Sequence, residues 1–373
     1  MRKYFGTALM AGLLATSFMA CGGGNGDDNG DGQTPEYKDF AYVVNEYYSN
    51  VSAYDIDPAT GQLTEIAGSP FSTGERYPQA MAVHPSGNFA YVLNYGSNNA
   101  TGYSINKATG AFRPMAGSPF ATGSYPYSIA IDPSGRYAYV TNNDSRSISA
   151  YAIDPATGAL AEISGSPFAV GSWPNTITVE PAGKFAYVTN ANGISAFALD
   201  AATGALAEIP GSPFAAGSNS SFLVIDPSGK FAYATNNAFN NVSAYTLDGA
   251  TGVLSTVPGS PFQTAEGPYF AVVDPASKFL YVANVADNTV NTYAIGAGTG
   301  ALTPVAGSPF AAGQTPRAAA VDPAGKFLYV ANQQGTISAY RINATSGALA
   351  PIAGSPFSSG LNSWFIVTVR IRQ

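Results

Sequence analysis

The chain has one histidine, His84, and one cysteine, Cys21, and these two residues limit the chemistry it can perform. A catalytic triad needs an imidazole beside its nucleophile, and a zinc site needs several Cys or His ligands. We interpret His84, and Glu180 in a similar place, as turn residues, and we predict neither a metal site nor a cofactor. Both occupy a turn position that other repeats fill with Asp132, Asp226, Asp274 and Asp322.

The remaining candidates for catalysis are one cation and two carboxylates. Hydrolysis at a carbonyl carbon needs a base that activates water and a donor that stabilises the oxyanion. Arg317 could supply the donor, and Glu266 or Glu75 could supply the base if burial raised its pKa. The alternative is that both carboxylates are solvated loop residues.

A tetrapeptide repeat indicates how these residues are positioned. Gly-Ser-Pro-Phe occurs seven times, at intervals of 46 to 49 residues, which is typical of a propeller or a solenoid. The unit 126–171 contains four short apolar runs separated by turns such as Asp-Pro-Ser-Gly and Asp-Pro-Ala-Thr-Gly, in which Pro and Gly favour hairpins. We therefore predict an all-β fold, a seven-bladed β-propeller of four-stranded blades, over residues 37–373.

The two ends of this region supply complementary parts of one blade. The region begins at Phe40–Asn45 with the pattern of a second strand, and Trp364–Val369 near its end has the pattern of a first strand. Pairing these segments would complete the seventh blade and leave no open sheet edge. We predict a closed ring in which the C-terminal strand completes the N-terminal blade.

Strand order divides the loops between two faces. Turns between first and second strands, and between third and fourth strands, lie on a scaffold face with nearly identical sequences. Loops between second and third strands, and connections between blades, lie on a variable face whose sequences differ from blade to blade. Functional residues lie more often on such variable loops.

One column of the repeat places diverse residues near the channel mouth on the variable face. The first strand of each blade lines the channel. Because side chains alternate between the two faces of a strand, we predict that the apolar residues two and four positions after the column, such as Met81 and Val83, lie on the same face as the column and form core. The column suits stacking on a sugar or holding a carboxylate or phosphate, unless it varies only because it is solvated. Its members are Gln79, Tyr127, Asn175, Ser221, Tyr269, Arg317 and Trp364.

The N-terminus has the features of a bacterial lipoprotein signal. Arg2-Lys3 precede an apolar stretch and Ala20 precedes Cys21, although Phe18 stands where an aliphatic residue is usual. We predict a signal peptide (1–20), a lipidated Cys21 with a flexible Gly/Asp/Asn linker (21–36), and anchoring to a membrane in the periplasm or at the cell surface. The alternatives are a plain secretory signal and an uncleaved membrane helix, for which the stretch is shorter than the ~20 residues required.

Several strings resemble those of a known family. Tyr-Val-Thr-Asn at 139–142 and 187–190, Ile-Ser-Ala-Tyr at 148–151, and the spacing from Ala-Thr-Gly-Ala-Leu to Gly-Ser-Pro-Phe resemble the lactonase family of seven-bladed propellers and the related YVTN surface repeats. The resemblance covers residues 37–373 and implies hydrolysis of 6-phosphogluconolactone, or of muconate lactones in related propellers. It also implies His, Glu and Arg near the channel mouth. This chain departs from that pattern, because its only histidine, His84, lies in a turn of the scaffold face.

Three functions remain open. The missing histidine and the predicted anchor favour a protein that binds a small sugar-like or anionic ligand, or a protein partner, on its variable face. The alternative is a lactonase, a carboxylic ester hydrolase. That hypothesis is weakened because 6-phosphogluconolactone is a cytoplasmic metabolite. The third possibility is a structural spacer at the cell surface. The net charge of −7 and the lack of a basic cluster beyond Arg2-Lys3 argue against nucleic acid.

Overall fold

Seven antiparallel sheets make up the described part of the chain. The computed structural model describes residues 36–217 and 220–373. Each sheet has four main strands, and the innermost strands contact one another in a closed cycle around a central channel. The seven-bladed β-propeller predicted from the repeat is therefore confirmed. The predicted signal peptide, Cys21 and almost all of the predicted linker lie outside the described residues.

The blades are numbered 1 to 7 in the order of their innermost strands. These innermost strands are β5 (Pro78–Val83), β10 (Pro126–Ile131), β15 (Pro174–Val179), β19 (Ser220–Ile225), β24 (Pro268–Val273), β29 (Pro316–Val321) and β34 (Ser363–Arg372). The second strands are β1 (Tyr37–Asn45), β6 (Phe89–Asn94), β11 (Tyr137–Asn142), β16 (Phe185–Asn190), β20 (Phe231–Asn236), β25 (Phe279–Asn284) and β30 (Phe327–Asn332).

The outer strands are shorter towards the rim. The third strands are β2 (Asn50–Ile56), β7 (Asn99–Ile105), β12 (Ser147–Ile153), β17 (Gly193–Leu199), β21 (Asn241–Leu247), β26 (Thr289–Ile295) and β31 (Thr336–Ile342). The fourth strands are β3 (Leu63–Glu65), β8 (Phe112–Pro114), β13 (Leu160–Glu162), β18 (Leu206–Glu208), β22 (Leu254–Thr256), β27 (Leu302–Pro304) and β32 (Leu349–Pro351). Two-residue strands that also pair with third strands are β4 (Phe71–Ser72), β9 (Phe120–Ala121), β14 (Phe168–Ala169), β23 (Phe262–Gln263), β28 (Phe310–Ala311) and β33 (Phe357–Ser358), and a short 3-10 helix covers Asn237–Phe239.

The ring closes in blade 7, where β34 is the innermost strand and β1 is the second. Their antiparallel register runs from Tyr37 opposite Arg372 to Asn45 opposite Ser363, which confirms the predicted closure. The Arg370 guanidinium binds the buried Asp39 carboxylate through two hydrogen bonds, of 2.8 and 2.7 Å. The first and last described strands are thus joined by a ladder and by an ion pair.

The second strands form the core because both of their faces are buried between blades. In β6, Tyr91 and Leu93 pack towards blade 2, whereas Ala90 and Val92 pack towards blade 7. A continuous apolar run bounded by turn residues is the pattern of such a strand. The core is therefore a series of interfaces between blades, and the first residues available for function are at the strand ends.

In six of the seven blades, the repeated tyrosine of the second strand donates a hydrogen bond to the next blade. Tyr91 donates a 2.6 Å hydrogen bond to the carbonyl of Gly158, and Tyr139 donates one of 3.0 Å to Gly204. Burial raises the pKa of both phenols, so they remain protonated donors. The accepting glycine has a positive φ, of 75° at Gly158, and a Cβ there would lie 2.6 Å from the Phe89 ring. The same tyrosine bond is made by Tyr42, Tyr187, Tyr233 and Tyr329.

Tyr139→Phe is expected to lower the free energy of unfolding by about 1 kcal/mol, because the Gly204 carbonyl loses a buried hydrogen-bond partner. Tyr281→Phe is the matched control, since the buried Tyr281 hydroxyl has no partner in the described residues. Denaturant titration of the two variants measures the difference. Equal losses would show that ring packing, and not this hydrogen bond, joins the blades.

The Gly-Ser-Pro-Phe repeat stabilises the outer edge of each blade. The Ser118 hydroxyl accepts a 2.9 Å hydrogen bond from the backbone N–H of Gly102 in the third strand, between the segments that pair with β8 and β9. The equivalent serines make the same contact in the other blades. The repeat is thus scaffold and carries no chemistry of its own.

Candidate functional site

Six of the seven predicted ring residues line one cavity at the channel mouth on the variable face. They are Gln79, Tyr127, Ser221, Tyr269, Arg317 and Trp364. The seventh, Asn175, does not line it; its amide Nδ2 donates to the Ser220 carbonyl at 3.1 Å. The cavity has a volume of about 40 Å³, which accommodates only a few water molecules.

A β-bulge at the start of each innermost strand leaves the ring residue without a ladder partner, and in every blade except blade 3 that residue lines the cavity. In blade 1, Pro78 pairs with Asn94 and Ala80 with Leu93, so Gln79 is an extra residue without a partner in the ladder. Bulges re-aim side chains in this way. The prediction that Gln79 shares a face with Met81 was wrong: Ala80 lines the cavity beside Gln79, while Met81 packs in the core between blades 7 and 1.

Arg317 is the cation of the site, and its guanidinium lies against two neighbouring aromatic rings, whose centroids are 6.3 Å apart. The centre of its guanidinium is 4.8 Å from the Tyr269 ring centroid and 4.3 Å from that of Trp364. Its Nη2 donates to the Gln333 side-chain oxygen at 3.4 Å, whereas its Nε is buried without a partner. The two rings and the Gln333 amide orient the group, and its Nε–H has no partner among the described residues and is available to a ligand.

Two tyrosines from distant blades meet beside Arg317. The hydroxyls of Tyr127 in blade 2 and Tyr269 in blade 5 are 2.6 Å apart. Burial raises the pKa of Tyr127, and the Tyr269 phenol beside it adds to the effect. Because these blades are three apart in a ring of seven, the pair spans the channel mouth.

The lower wall of the cavity is apolar on one side and polar on the other. Phe222 lies against Phe270 with ring centroids 3.9 Å apart, and Phe270 meets Phe365 edge to face at 5.9 Å. Ser128 and Thr176 supply hydroxyls, which accept backbone N–H groups of the neighbouring innermost strands at 3.2 and 3.3 Å. A ligand would thus meet one apolar side and one polar side.

A chain of hydrogen bonds connects Arg317 to Gln79 through three further side chains. Arg317 donates to Gln333, and Gln333 donates to the Asn362 oxygen at 2.5 Å. Asn362 and Gln79 each donate an amide N–H to the Glu46 carboxylate, Gln79 at 3.0 Å. The chain passes through blades 6, 7 and 1. Gln333 and Glu46 both follow the asparagine that ends a second strand, and aligning that column would have found them.

The two predicted bases lie outside the cavity. Glu266 is exposed, and its backbone N–H bonds the Asp287 carboxylate at 2.7 Å. Glu75 is half-buried, and its N–H bonds the Thr73 hydroxyl. Their catalytic roles stay predictions. Glu46 is a carboxylate that does hydrogen-bond to a side chain of the cavity wall.

His84 and Glu180 are turn residues, as their place in the repeat predicts. His84 accepts the Ser86 N–H at Nδ1, and its Nε2 bonds the Gly135 carbonyl of the next blade at 2.8 Å. Glu180 accepts two backbone N–H groups of its own turn at 2.6 Å. Within the described ranges, no cluster of three or more His, Cys, Asp or Glu could hold a metal ion, and no helix is long and apolar enough to cross a membrane.

The rim around the cavity carries exposed aromatic side chains. Tyr77, Tyr125 and Trp173 immediately precede the innermost strands of blades 1, 2 and 3, with exposed fractions of 55%, 43% and 50%. Tyr125 stacks on Tyr95 at 4.6 Å, and Arg146 lies 4.6 Å above the Trp173 ring. The variable face is therefore aromatic as well as diverse in sequence.

The fold and the cavity together define a seven-bladed propeller with a cationic, aromatic site at its channel mouth. The family described as "Lactonase, 7-bladed beta-propeller" matches residues 32–173, 164–272 and 271–359. The chain belongs to this lactonase family. No curated protein matches it in sequence.

Solved structures similar to this chain share its fold at low sequence identity. A provisionally assigned 6-phosphogluconolactonase from Bacteroides uniformis has a TM-score of 0.77 at 19% identity, over 89% of this chain and 99% of its own. The periplasmic gluconolactonase PpgL from Pseudomonas aeruginosa has a TM-score of 0.75 at 19% identity, over 90% of this chain and 99% of its own. At these identities, the similarity shows the fold alone.

Proposed function

We propose that this propeller binds a small polyhydroxylated carboxylate, such as a sugar acid or its lactone, at the channel mouth. The observation that carries the proposal is a set of buried polar atoms in the cavity wall without hydrogen-bond partners. They are the Nε of Arg317, the Nε1 of Trp364 and the Oε1 of Gln79. Buried polar groups are paired in most native proteins, so such atoms are suited to a ligand.

The types of these atoms define the ligand. Arg317 and Trp364 offer N–H donors, which suit a carboxylate or carbonyl oxygen, whereas Gln79 offers an oxygen that suits a hydroxyl. The rings of Tyr269 and Trp364 add flat surfaces beside the cation. A hydroxylated acid satisfies all three atoms, whereas a plain hydrocarbon satisfies none.

The size of the cavity makes entry depend on side-chain movement. Pockets for small molecules are usually about 300 Å³ or more, and this cavity is about 40 Å³. The hydrogen bond between Tyr127 and Tyr269 spans the mouth, so separation of these two side chains would admit the ligand.

Binding is favoured over hydrolysis by the composition of the cavity wall. The described residues that line the cavity include Arg317 but no Asp, Glu or His. Glu46 accepts amide N–H groups at both of its oxygens and does not itself line the cavity. Membership of the lactonase family supports the second candidate, hydrolysis of a sugar lactone, with Arg317 stabilising the oxyanion.

A direct assay decides between the two functions. The full chain is titrated with D-gluconate by calorimetry and assayed for hydrolysis of glucono-1,5-lactone, with Arg317→Ala, Glu266→Ala and Glu75→Ala alongside. We expect gluconate to bind with a Kd of about 0.1 mM or tighter and the lactone to hydrolyse at the buffer rate. Absence of binding would contradict the proposal. Hydrolysis that is lost in Arg317→Ala would establish the lactonase instead.

We also propose that the protein acts outside the cytoplasm, anchored through Cys21. The features of residues 1–21 support this, as does the periplasmic location stated for PpgL. Labelled palmitate should appear on the full chain and not on Cys21→Ala. Label on that variant, or none on either protein, would overturn the anchor.

A further inference from the structure

The amides at the channel mouth can be oriented in only one way. A carboxylate accepts hydrogen bonds and a guanidinium only donates them. Glu46 at one end of the chain therefore requires N–H groups from Gln79 and Asn362, and Arg317 at the other end requires an oxygen from Gln333. The hydrogen bond from Gln333 to Asn362 agrees with both ends.

The orientation of the Gln79 amide has a consequence for the cavity. Because its Nε2 faces Glu46, its Oε1 is the atom left buried and without a partner. The cavity therefore has an acceptor in blade 1 and donors, from Arg317 and Trp364, in blades 6 and 7. A neutral side chain at position 46 would allow the Gln79 amide to turn over and offer an N–H instead.

We infer that Glu46 is a positioning residue that makes the site select a hydroxylated acid over a non-hydroxylated one. It acts through Gln79 and does not touch the ligand. The charge of Glu46 fixes an oxygen acceptor in the cavity, and that acceptor requires a hydroxyl from the ligand. This inference rests on the proposed function, because it concerns which acids the same cavity accepts.

The test compares two six-carbon acids, D-gluconate and hexanoate, which share a carboxylate and differ in their hydroxyls. The isosteric Glu46→Gln should reduce the gluconate-to-hexanoate affinity ratio about 10-fold, the effect of one hydrogen bond of about 1.4 kcal/mol. Hexanoate affinity should change less than about 2-fold, because Arg317 remains in place against the rings of Tyr269 and Trp364. Asp144→Asn, which changes an exposed carboxylate in the loop between β11 and β12 on the same face and outside the cavity, should leave the ratio unchanged.

A second variant separates positioning from a general structural effect. Gln79→Ala should also lower the ratio, and adding Glu46→Gln to it should have little further effect, since both changes remove the same acceptor. A wild-type protein that binds neither acid overturns the proposed function itself. Wild-type selectivity that survives in Glu46→Gln or in Gln79→Ala, or additive effects in the double variant, overturns only this inference.

Discussion

Arg317→Ala is expected to lower gluconate affinity about 100-fold. The substitution removes a buried charged donor, and a lost charge-assisted hydrogen bond corresponds to about 3 kcal/mol at the upper end. It also removes the planar group that lies against the Tyr269 and Trp364 rings. Arg317→Lys should recover only part of the affinity, because an ammonium neither stacks as a plane nor donates from Nε.

Arg146→Ala is the matched control for this prediction. Arg146 lies on the same face and over an aromatic ring, that of Trp173, but it does not line the cavity. Calorimetric titration of both variants should show a large loss for Arg317→Ala and almost none for Arg146→Ala. Equal losses would mean that the face attracts anions generally and that the cavity is not the site.

Arg370→Gln is expected to lower the free energy of unfolding by about 2 kcal/mol. The change leaves the Asp39 carboxylate, which is 7% exposed, without its bidentate partner. Hydrogen bonds to charged groups contribute about 1.5–3 kcal/mol, and the partial exposure of Arg370 argues for the middle of that range. The pair lies where the ring closes, so its loss weakens the contact between the two ends of the propeller.

Arg372→Gln provides the comparison, because Arg372 is exposed in the same strand and makes no ion pair among the described residues. Its unfolding free energy should change by less than about 0.5 kcal/mol. Denaturant midpoints of the two variants test this. A midpoint for Arg370→Gln that coincides with that of Arg372→Gln would show that the strand ladder alone closes the ring.

The repeat made it possible to predict from the sequence which residues form a ring at the channel mouth. Alignment of seven similar units placed Gln79, Tyr127 and Arg317 at the same position of their blades, and six of the seven predicted residues share one cavity. The rule that alternate residues of a strand share one face failed here, because the bulge at each ring residue adds one residue to the innermost strand. No distinctive residue marks that bulge, so the face occupied by Met81 was assigned incorrectly.

The contacts that define the site join residues far apart in the chain. Glu46 lies in the loop directly after β1, and Asn362 directly precedes β34. They meet only because β34 completes the blade that begins with β1. The meeting of Tyr127 and Tyr269 likewise depends on the diameter of a seven-bladed ring. Local patterns contain no information about such distances.

The sequence by itself determined the all-β class, the number of blades, the scaffold role of His84 and the strands that close the ring. It could do so because turns and strand periods are local properties that were repeated seven times. Only the tertiary structure decided which ring residues share the cavity, how two rings and Gln333 orient Arg317, and that Glu46 sets the orientation of the Gln79 amide. Hydrogen bonds between blades depend on how neighbouring sheets twist and pack, which is a property of the closed ring and not of one repeat.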